Sequence, residues 1–376
     1  MPGKCDISVK IGKVKLKNPL ILASGPTGRD GETLKKAAQS GAAAVVTKSI
    51  DKYSAAINPR PYFLKVKGGI LNADEWSELT CERWAEHEIK IAKEGGVPVI
   101  ANIISLKQNP DEIRELASLM TDAGADIIET ASYFPENVPK FVEAAKEVTS
   151  VPIIAKLCPL SFKWIDREVL FNCAEAIVDA GADAIAAMDT VGPCLAIDID
   201  TGKPLLGSLS GTGKISGPAI KPLAIALIAD LARKVETPLI GIGGISTGRD
   251  AIEMIMAGAT CVGICTASIF EGYPVFNKIL SQIKDYMSTK NYKSLKDFRG
   301  IALNYIQKRQ SEKKLILEAI PPTIDASKCT ACNKCVTSCI YNAIKLNGVA
   351  KVNAKLCHGC GLCSTVCPTN AITLEY

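Results

Sequence analysis

Two cysteine-rich runs near the end of the sequence constrain the fold of this chain more than any other feature. Eight of its fifteen cysteines lie between positions 329 and 367. The run KCTACNKCVTSC contains Cys329, Cys332, Cys335 and Cys339, and the run LCHGCGLCSTVCP contains Cys357, Cys360, Cys363 and Cys367. Both runs have the spacing C-x2-C-x2-C-x3-C. This repeated spacing predicts a small domain built around metal.

The same spacing occurs in bacterial ferredoxins with two iron–sulfur clusters. Three closely spaced thiolates bind three irons of one cube from a single tight loop, and the fourth thiolate, beyond a turn, reaches the other cube. One [4Fe–4S] cluster is therefore predicted on Cys329, Cys332, Cys335 and Cys367, and the other on Cys357, Cys360, Cys363 and Cys339. Structural zinc sites are the alternative, but they usually show two C-x2-C pairs separated by a spacer.

The preceding part of the chain alternates short apolar runs with longer segments of helical periodicity, as the βα units of a parallel sheet do. Several helical segments end in Gly-Ala just before the next apolar run, as in DAGADII and MAGATCV, and glycine is a common helix stop. The eight apolar runs are 19–24, 43–49, 98–104, 126–132, 152–157, 184–190, 239–244 and 261–267. Eight units in about 250 residues predict a (β/α)8 barrel, with a doubly wound open sheet as the alternative.

The regions outside these units suggest the domain boundaries. Residues 4–18 alternate in polarity around a turn at 11–13, which predicts a hairpin outside the barrel proper. Residues 270–318 show helical patterns and then a charged stretch, and the pair Pro321-Pro322 marks a boundary. We therefore predict a barrel with an N-terminal hairpin over 1–300, a helical and charged linker over 301–322, and a small α+β two-cluster ferredoxin domain over 323–376.

Charge and hydropathy exclude several functions. The 44 Lys and Arg residues against 39 Asp and Glu give a net charge of +5, which two clusters of about −2 each would reduce to roughly +1. A nucleic-acid partner is therefore not expected. No apolar run approaches the ~20 residues that span a bilayer, and the N-terminus lacks the apolar stretch of a signal peptide. We expect a soluble cytoplasmic protein that acts on a small molecule.

The glycines of the last two βα units are placed as a flavin phosphate site requires. Barrels often bind phosphate at the carboxyl ends of strands seven and eight, where glycine lets the backbone approach and N–H groups point outward. The segment GIGGIS, with Gly243 and Gly244, ends the seventh apolar run, and Cys265 and Thr266 end the eighth. This placement is where a flavin barrel would need its phosphate site, although Gly-Gly before a helix is by itself often only a tight turn.

With these motifs in order, the sequence resembles the dihydroorotate dehydrogenase family, and more closely the flavin barrel of dihydropyrimidine dehydrogenases fused to a C-terminal ferredoxin module. The resemblance extends over nearly the whole chain. It is carried by NPLILASG, VVTKS, LNADEWSELT, VPIIAKL, ISGPAIKP, IGIGGISTG and the eight cysteines. The implied activity is oxidoreduction of a C=C bond in a small heterocycle or conjugated carbonyl compound, with electrons passed through the two clusters.

The resemblance also implies an FMN site. Backbone groups of Ala23, Ser24 and Gly25 would line the flavin ring, as would Lys48 and Ser49 after the second strand. Lys156 would lie near the N1/O2 edge of the flavin, where a positive charge stabilises the reduced anion. Ser216 and Gly217 would precede a phosphate site formed by Gly243, Gly244, Cys265 and Thr266.

The substrate-side residues depart from the family pattern. Where the family has an Asn and a proton-transferring Cys after strand four, this sequence is matched with Thr130 and Tyr133. Asp189-Thr190 replaces Asn-Thr after strand six, and only Asn72 in LNADEW is kept. A carboxylate accepts hydrogen bonds whereas an amide also donates them, so the pocket should prefer a ligand that presents N–H or O–H groups. Tyr133 is the first candidate for the proton donor and Cys158 the second.

Electrons are expected to arrive from another protein. No complete G-x-G-x-x-G follows a strand in this sequence, so a nicotinamide site of the Rossmann type is not predicted. The resemblance points to an NAD(P)H-oxidising flavoprotein subunit or a ferredoxin as the partner, and to a homo-oligomer or hetero-oligomer. The alternative is an electron-transfer subunit of a larger redox complex, in which the flavin relays electrons and no substrate binds.

Overall fold

The computed structural model describes residues 5–158, 167–313, 315 and 318–374, and its largest feature is a closed parallel barrel. Parts of the three predicted domains, residues 1–4, 159–166, 314, 316–317 and 375–376, lie outside the described residues. In order around the barrel the strands are β3 (Leu20–Leu22), β4 (Ala44–Val46), β7 (Val99–Ile103), β8 (Ile127–Ser132), β9 (Ile153–Leu157), β10 (Ala184–Ala187), β13 (Leu239–Ile242) and β14 (Cys261–Ile264). Each falls within one of the eight apolar runs, so the predicted (β/α)8 fold is confirmed and the open sheet is excluded.

Helices separate these strands and cover the outside of the barrel. They are α1 (Gly31–Gln39), α2 (Cys81–Arg83) with a π turn (Trp84–Glu88) and α3 (Ile89–Lys93), α4 (Pro110–Asp122), α5 (Val138–Val148), α6 (Arg167–Asp179), α7 (Lys221–Ala232), α8 (Gly248–Met256), α9 (Thr266–Glu271), α10 (Val275–Thr289) and α11 (Ile301–Ser311). Short 3₁₀ turns occur at Pro26–Gly28, Pro135–Asn137, Pro218–Ile220 and Leu295–Asp297. Within the described part of the chain, no helix is long and apolar enough to cross a bilayer.

The N-terminal hairpin, β1 (Val9–Ile11) and β2 (Val14–Leu16), closes the amino end of the barrel. Ile11 and Leu16 are fully buried and pack in one cluster with the inward side chains of the barrel strands, among them Ile127 and Ile154. The neighbouring side chains on the same strands pack outward against the helices. This alternation of inward and outward residues is the normal consequence of strand pleating, and it identifies which residues face the interior.

A four-stranded antiparallel sheet, in the order β11-β12-β6-β5, is built from two loops at the carboxyl ends of barrel strands. The loop after β4 supplies β5 (Phe63–Val66) and β6 (Gly69–Asn72), and the loop after β10 supplies β11 (Val191–Leu195) and β12 (Thr212–Ser216). The two loops are joined where β12 pairs with β6 and Lys214 lies opposite Asn72. The sequence analysis did not predict this sheet.

The chain separates into two compact units, residues 1–306 and 307–376. The second unit contains β15 (Thr323–Ile324) paired with β18 (Ile372–Thr373), and β16 (Ile344–Asn347) paired with β17 (Val349–Val352). Each cysteine run contributes one short helix, α12 (Lys334–Thr337) or α13 (Leu362–Thr365). Cys335 and Cys363 are both buried in the small core of this unit, so the thiols occupy the positions that apolar side chains fill in a larger domain.

Candidate active site

A cleft of about 1480 Å³, including its open mouth, lies at the carboxyl end of the barrel strands. Seventeen of the eighteen barrel residues predicted for flavin, substrate or proton transfer line it. They are Ala23, Ser24, Gly25, Lys48, Ser49, Asn72, Tyr133, Lys156, Cys158, Asp189, Thr190, Ser216, Gly217, Gly243, Gly244, Cys265 and Thr266. Residues that are far apart in the sequence therefore share one cleft, at the end where barrels of this fold bind ligands.

Thr130 is the exception, and its predicted contact with substrate does not fit the structure. Ile127 packs in the interior of the barrel and Ile128 packs against the helices. Because strand side chains alternate between faces, Glu129 and Ala131 face inward and Thr130 faces outward. Thr130 is completely buried and Ala131 lines the cleft in its place. Thr130 was predicted because it stands where the family motif has Asn, and that match does not take into account which face of the strand the side chain is on.

Lys156 is the central cation of the cleft floor. Its side chain is 6% exposed, and its ammonium nitrogen lies 3.9 Å from a carboxylate oxygen of Asp189. Burial disfavours the charged lysine, but the carboxylates of Asp189 and Glu129 outweigh it, and the pKa of Lys156 lies above its ordinary value. Burial likewise favours protonated Asp189, yet the Lys156 and Lys214 ammonium groups hold the pKa of Asp189 below its ordinary value. Lys156 and Asp189 are thus both charged at neutral pH.

Asn102 is a polar residue of the interior that the sequence analysis missed. It is fully buried on β7, faces inward between Ile100 and Ile104, and its amide nitrogen donates to Glu129. Its carbonyl oxygen has no hydrogen-bond partner among the described residues. A buried unpaired acceptor is costly, but Asn102, like Thr130, does not line the cleft. The sequence did contain a signal for this residue, because Asn102 is the one polar residue in the apolar run PVIANII.

Lys48 differs from Lys156 in being held directly by acidic partners. Its ammonium donates to Asp74 at 2.8 Å and to Glu78 at 2.9 Å, and its side chain is 3% exposed. Burial raises the pKa of Asp74 despite the attraction of Lys48. Both acids belong to the segment LNADEWSELT, which the sequence analysis used only for Asn72. Residues of this segment therefore hold the Lys48 ammonium in place and also line the cleft.

Tyr133 lies at the mouth, with its side chain 46% exposed. Lys214 of β12 donates a hydrogen bond of 3.1 Å to the phenol oxygen, and its ammonium lies 4.5 Å from the ring centroid. The amide nitrogen of Asn72 donates to the backbone carbonyl of Lys214 at 3.1 Å. Lys214 is a second residue that the sequence analysis missed, because it is brought to Tyr133 by the pairing of two distant loops.

The two candidate proton donors have different surroundings. Cys158 is buried on the floor, and its thiol donates to Asp189 at 3.5 Å. Burial, reinforced by the Asp189 charge, raises the pKa of Cys158 well above the ordinary thiol value. Burial and Asp189 also raise the pKa of Tyr133, while Lys214 opposes the shift. Both groups are protonated at neutral pH, but only Tyr133 reaches the open part of the cleft.

The predicted phosphate residues form one end of the cleft. Gly243 and Gly244 have φ values of +132° and +74°, a region that other residues rarely adopt. A Cβ on Gly243 would lie 2.8 Å from that of Ala224, so the turn packs closely on α7. Thr266 opens α9, where N–H groups lack partners within the helix, and its hydroxyl donates to Ser216 at 3.0 Å. The residues present fit a phosphate group.

The second unit gathers the eight cysteines in two small cavities. One cavity, of about 330 Å³, is lined by Cys329, Cys332, Cys335 and Cys367, and the other, of about 340 Å³, by Cys339, Cys357, Cys360 and Cys363. These are the two sets predicted from the spacing. In the described residues, no three His, Cys, Asp or Glu side chains are placed to hold a single metal ion.

The fourth cysteine of each run is held in the same way. The backbone N–H of Ala343 donates to the Cys339 sulfur at 3.2 Å, and that of Ala371 donates to the Cys367 sulfur at 3.3 Å. Such N–H groups stabilise thiolates and adjust the potential of a cluster. The two halves of the unit thus present equivalent donor sets that fit iron–sulfur clusters.

A parallel barrel with this cleft, followed by a cysteine-rich unit, defines an iron–sulfur oxidoreductase of the flavin-barrel type. Comparison with known families agrees with that class. The family model described as Dihydroorotate dehydrogenase matches residues 6–287, and the model described as 4Fe-4S dicluster domain matches residues 322–374. The chain belongs to the dihydroorotate dehydrogenase family, and the resemblance inferred from its motifs is confirmed.

Similar proteins include three archaeal chains named dihydroorotate dehydrogenase B (NAD(+)), catalytic subunit. The chain from Methanocella arvoryzae is 36% identical over 307 residues, which cover 79% of this chain and 97% of the relative. The chain from Pyrococcus abyssi is 36% identical over 310 residues, which cover 79% of this chain and 99% of the relative. The chain from Methanocaldococcus jannaschii is 33% identical over 316 residues, which cover 80% of this chain and 99% of the relative. About a fifth of this chain therefore lies outside each match, while the relatives are covered almost end to end.

Proposed function

We propose that this chain is an FMN- and iron–sulfur-dependent oxidoreductase that reduces or forms a C=C bond in a small heterocycle or conjugated carbonyl compound. The observation that carries the proposal is the cleft, which combines a buried cation and a glycine-lined end with an open mouth. FMN would be held by Lys156, Gly243, Gly244 and Thr266. When bound, it supplies hydride transfer at N5 and converts single electrons into a two-electron step.

Lys156 has the electrostatic role in this proposal. It is buried and charged at neutral pH, so with FMN bound it would supply a fixed positive charge that stabilises the reduced flavin. Asp189 and Glu129 keep it ionised, because without them burial would favour the neutral amine. Lys48 has both of its acidic partners within 2.9 Å, and we assign it to holding the cleft wall and the edge of the flavin.

Tyr133 is the proton donor that the geometry favours. Hydride addition to one carbon of a C=C bond needs a proton on the adjacent carbon, and a side-chain acid supplies it. Cys158 already donates to Asp189 and lies on the buried floor. The phenol of Tyr133 lies at the mouth, where substrate enters and where water can return the proton. In the direction of C=C formation, the same oxygen accepts the proton.

The substrate should present N–H or O–H groups to Asp189. This carboxylate is ionised and lines the cleft beside Thr190, so it accepts hydrogen bonds where an amide would also donate. Asn72 also lines the cleft, but its amide nitrogen donates to the Lys214 carbonyl. The pocket is thus built differently from one with three free amides, and dihydroorotate and dihydropyrimidines are the first substrates to test.

Electrons would pass through two [4Fe–4S] clusters in the second unit. The two cysteine sets line separate cavities, and the relatives are named as catalytic subunits of an NAD(+) enzyme. We therefore propose an NAD(P)H-oxidising flavoprotein subunit as the partner, with a ferredoxin as the second candidate. A reducing cytoplasm would keep the fifteen thiols free of disulfides.

The test is anaerobic reoxidation of the reduced holoprotein. The purified protein is reduced with a chemical donor, and flavin absorbance is followed after addition of uracil, thymine, orotate or unrelated conjugated enones. Rapid reoxidation by one compound and not by its saturated analogue supports an enzyme with that substrate. If no compound reoxidises the flavin faster than buffer while an electron carrier does, the chain is an electron-transfer subunit and the proposal is refuted.

A further inference from the structure

We propose that Lys214 is a positioning residue that directs the proton of Tyr133 into the cleft. The inference rests on the proposed function, because it takes Tyr133 as the proton donor of that reaction. Lys214 matches none of the family motifs in the sequence. It reaches the site only because β12 and β6 pair across two loops, with Lys214 opposite Asn72.

The direction of the proton follows from the chemistry of the pair. A lysine ammonium has three donors and no acceptor, so in the 3.1 Å contact Lys214 donates and the Tyr133 oxygen accepts. The phenol hydrogen then cannot point at Lys214. It is left to donate to another acceptor, and the remaining open side of the phenol faces the cleft. An arrangement of this kind orients the acid before substrate binds.

The charge environment of Lys214 also differs from that of the other cleft lysines. Lys48 and Lys156 have carboxylate oxygens within 4.0 Å. In the described part of the chain, the Lys214 ammonium donates to the phenol, and no carboxylate lies within ion-pair distance of it, although the charge of Asp189 acts on it from further away. Its charge is therefore available to the oxygen of Tyr133 when that oxygen becomes negative.

The groups that face Tyr133 oppose one another. Burial and the negative charge of Asp189 raise its pKa, Cys158 adds to the increase, and Lys214 lowers it. The Lys214 ammonium is itself stabilised by Tyr133 and Asp189 against burial, so its pKa is raised and it remains charged. Lys214 thus lowers the pKa of Tyr133 against burial and Asp189, which makes the phenol a stronger proton donor.

Lys214 is also held rigidly. Asn72 donates from its amide nitrogen to the Lys214 carbonyl, in addition to the strand pairing. The ammonium meets both the oxygen and the face of the Tyr133 ring, at 3.1 Å and 4.5 Å. A side chain fixed at its backbone and at its tip loses little further entropy when the proton moves.

When bound, reduced FMN would supply the hydride for one carbon of the C=C bond and would be the electron donor of the step. The O–H bond of Tyr133 breaks, a C–H bond forms on the adjacent carbon, and the tyrosinate faces the Lys214 ammonium. Water at the mouth then returns a proton to Tyr133. The same groups operate in reverse when the C=C bond is formed.

The first test measures the phenol itself. A fluorinated tyrosine, whose phenol titrates near neutral pH in water, is placed at position 133 of the holoprotein, and its pKa is read by fluorine NMR. Lys214→Met should raise that pKa by about 1 or more, since an opposite charge at this range lowers a pKa by about 1–3. Lys214→Arg should largely restore it, and Lys203→Met, an exposed lysine of the same loop, should leave it unchanged. An unchanged pKa in Lys214→Met overturns the proposal.

The second test uses kinetics with a compound that reoxidises the flavin. Lys214→Met should lower the rate of reoxidation roughly 10- to 100-fold, with flavin and iron content unchanged. The double variant Lys214→Met/Tyr133→Phe should be no slower than Tyr133→Phe alone, because Lys214 acts through the phenol. If the rate loss of the double variant equals the product of the two single losses, Lys214 acts independently of Tyr133 and the proposal fails. If no compound reoxidises the flavin, the proposed function is refuted, and the titration alone decides whether Lys214 controls Tyr133.

Discussion

Replacing Lys156 with Met should destabilise the barrel unit far more than removing any surface lysine. The change keeps the length of the side chain but leaves Asp189 and Glu129 without their common cation. At 3.9 Å and an effective dielectric constant of about 20, the Lys156–Asp189 attraction is ~4 kcal/mol. Breaking one partner of a buried pair typically costs about 3–5 kcal/mol. We expect a loss in that range, or roughly 5–8 °C in the melting temperature of the unit 1–306 at about 2.1 cal/mol/K of unfolding entropy per residue.

The loss should depend on pH in a defined direction. In the wild type Lys156 holds the pKa of Asp189 below its ordinary value, so the pair stabilises the fold above about pH 4. Without Lys156, only Lys214 and the hydrogen bonds from Thr190 and Cys158 oppose burial at Asp189, so the pKa of Asp189 rises. Burial already raises the pKa of Glu129 against the charge of Lys156, so the pKa of Glu129 rises further in the variant. The folded variant then binds more protons than the unfolded chain, and its stability falls as pH rises through that window. The deficit should be larger at pH 8 than at pH 5.

The assay compares thermal unfolding of flavin-free wild type and variant at both pH values and one scan rate, so that flavin binding does not contribute. Lys278→Met is the matched control. Lys278 and Glu271 are 2.6 Å apart but are 48% and 41% exposed, and exposed pairs contribute less than about 1 kcal/mol. Equal losses in the two variants, or a Lys156→Met deficit that is the same at pH 5 and pH 8, would refute the electrostatic argument.

Three further outcomes are expected. Tyr133→Phe should slow substrate turnover about 10²- to 10⁴-fold with normal flavin and iron content, and unchanged turnover would remove Tyr133 as the acid. Gly243→Ala forces a side chain onto a φ of +132° and against Ala224, so flavin per chain should fall during dialysis; retention like that of the wild type would contradict the phosphate assignment. Cys339→Ser and Cys367→Ser should each lower the iron content from about eight towards four atoms per chain, and their electron paramagnetic resonance spectra should show loss of different clusters; the same cluster lost in both would refute the crossed ligand sets.

The fold was predictable because its signals are local. Each barrel strand is an apolar run followed by a helix, and Gly-Ala marks several helix ends, so the eight units could be counted from the sequence. The cysteine sets were predictable for the same reason, since the spacing alone assigns the crossed fourth ligand. Both predictions rest on distances along the chain.

The residues that were missed depend on distances in space. Lys214 contacts Tyr133 only because Ser216 and Ile70, 146 positions apart, are paired in one sheet, and no local pattern in either loop indicates that pairing. Asn102 was read as part of an apolar strand. Thr130 was assigned from residue type, whereas the alternation along β8 places it on the outer face. In each case the decisive information was the orientation of a side chain.

The hairpin closes the amino end of the barrel, where Ile11 and Leu16 fill the interior. Among the described residues the cleft therefore opens at the carboxyl end of the strands, and substrate would enter and leave by the mouth beside the antiparallel sheet. A product must therefore depart before the next substrate can bind beside a bound flavin. If electrons enter through a protein partner, as proposed, the two half-reactions have no need to coincide, and steady-state kinetics should show parallel lines in double-reciprocal plots, the mark of a substituted-enzyme cycle.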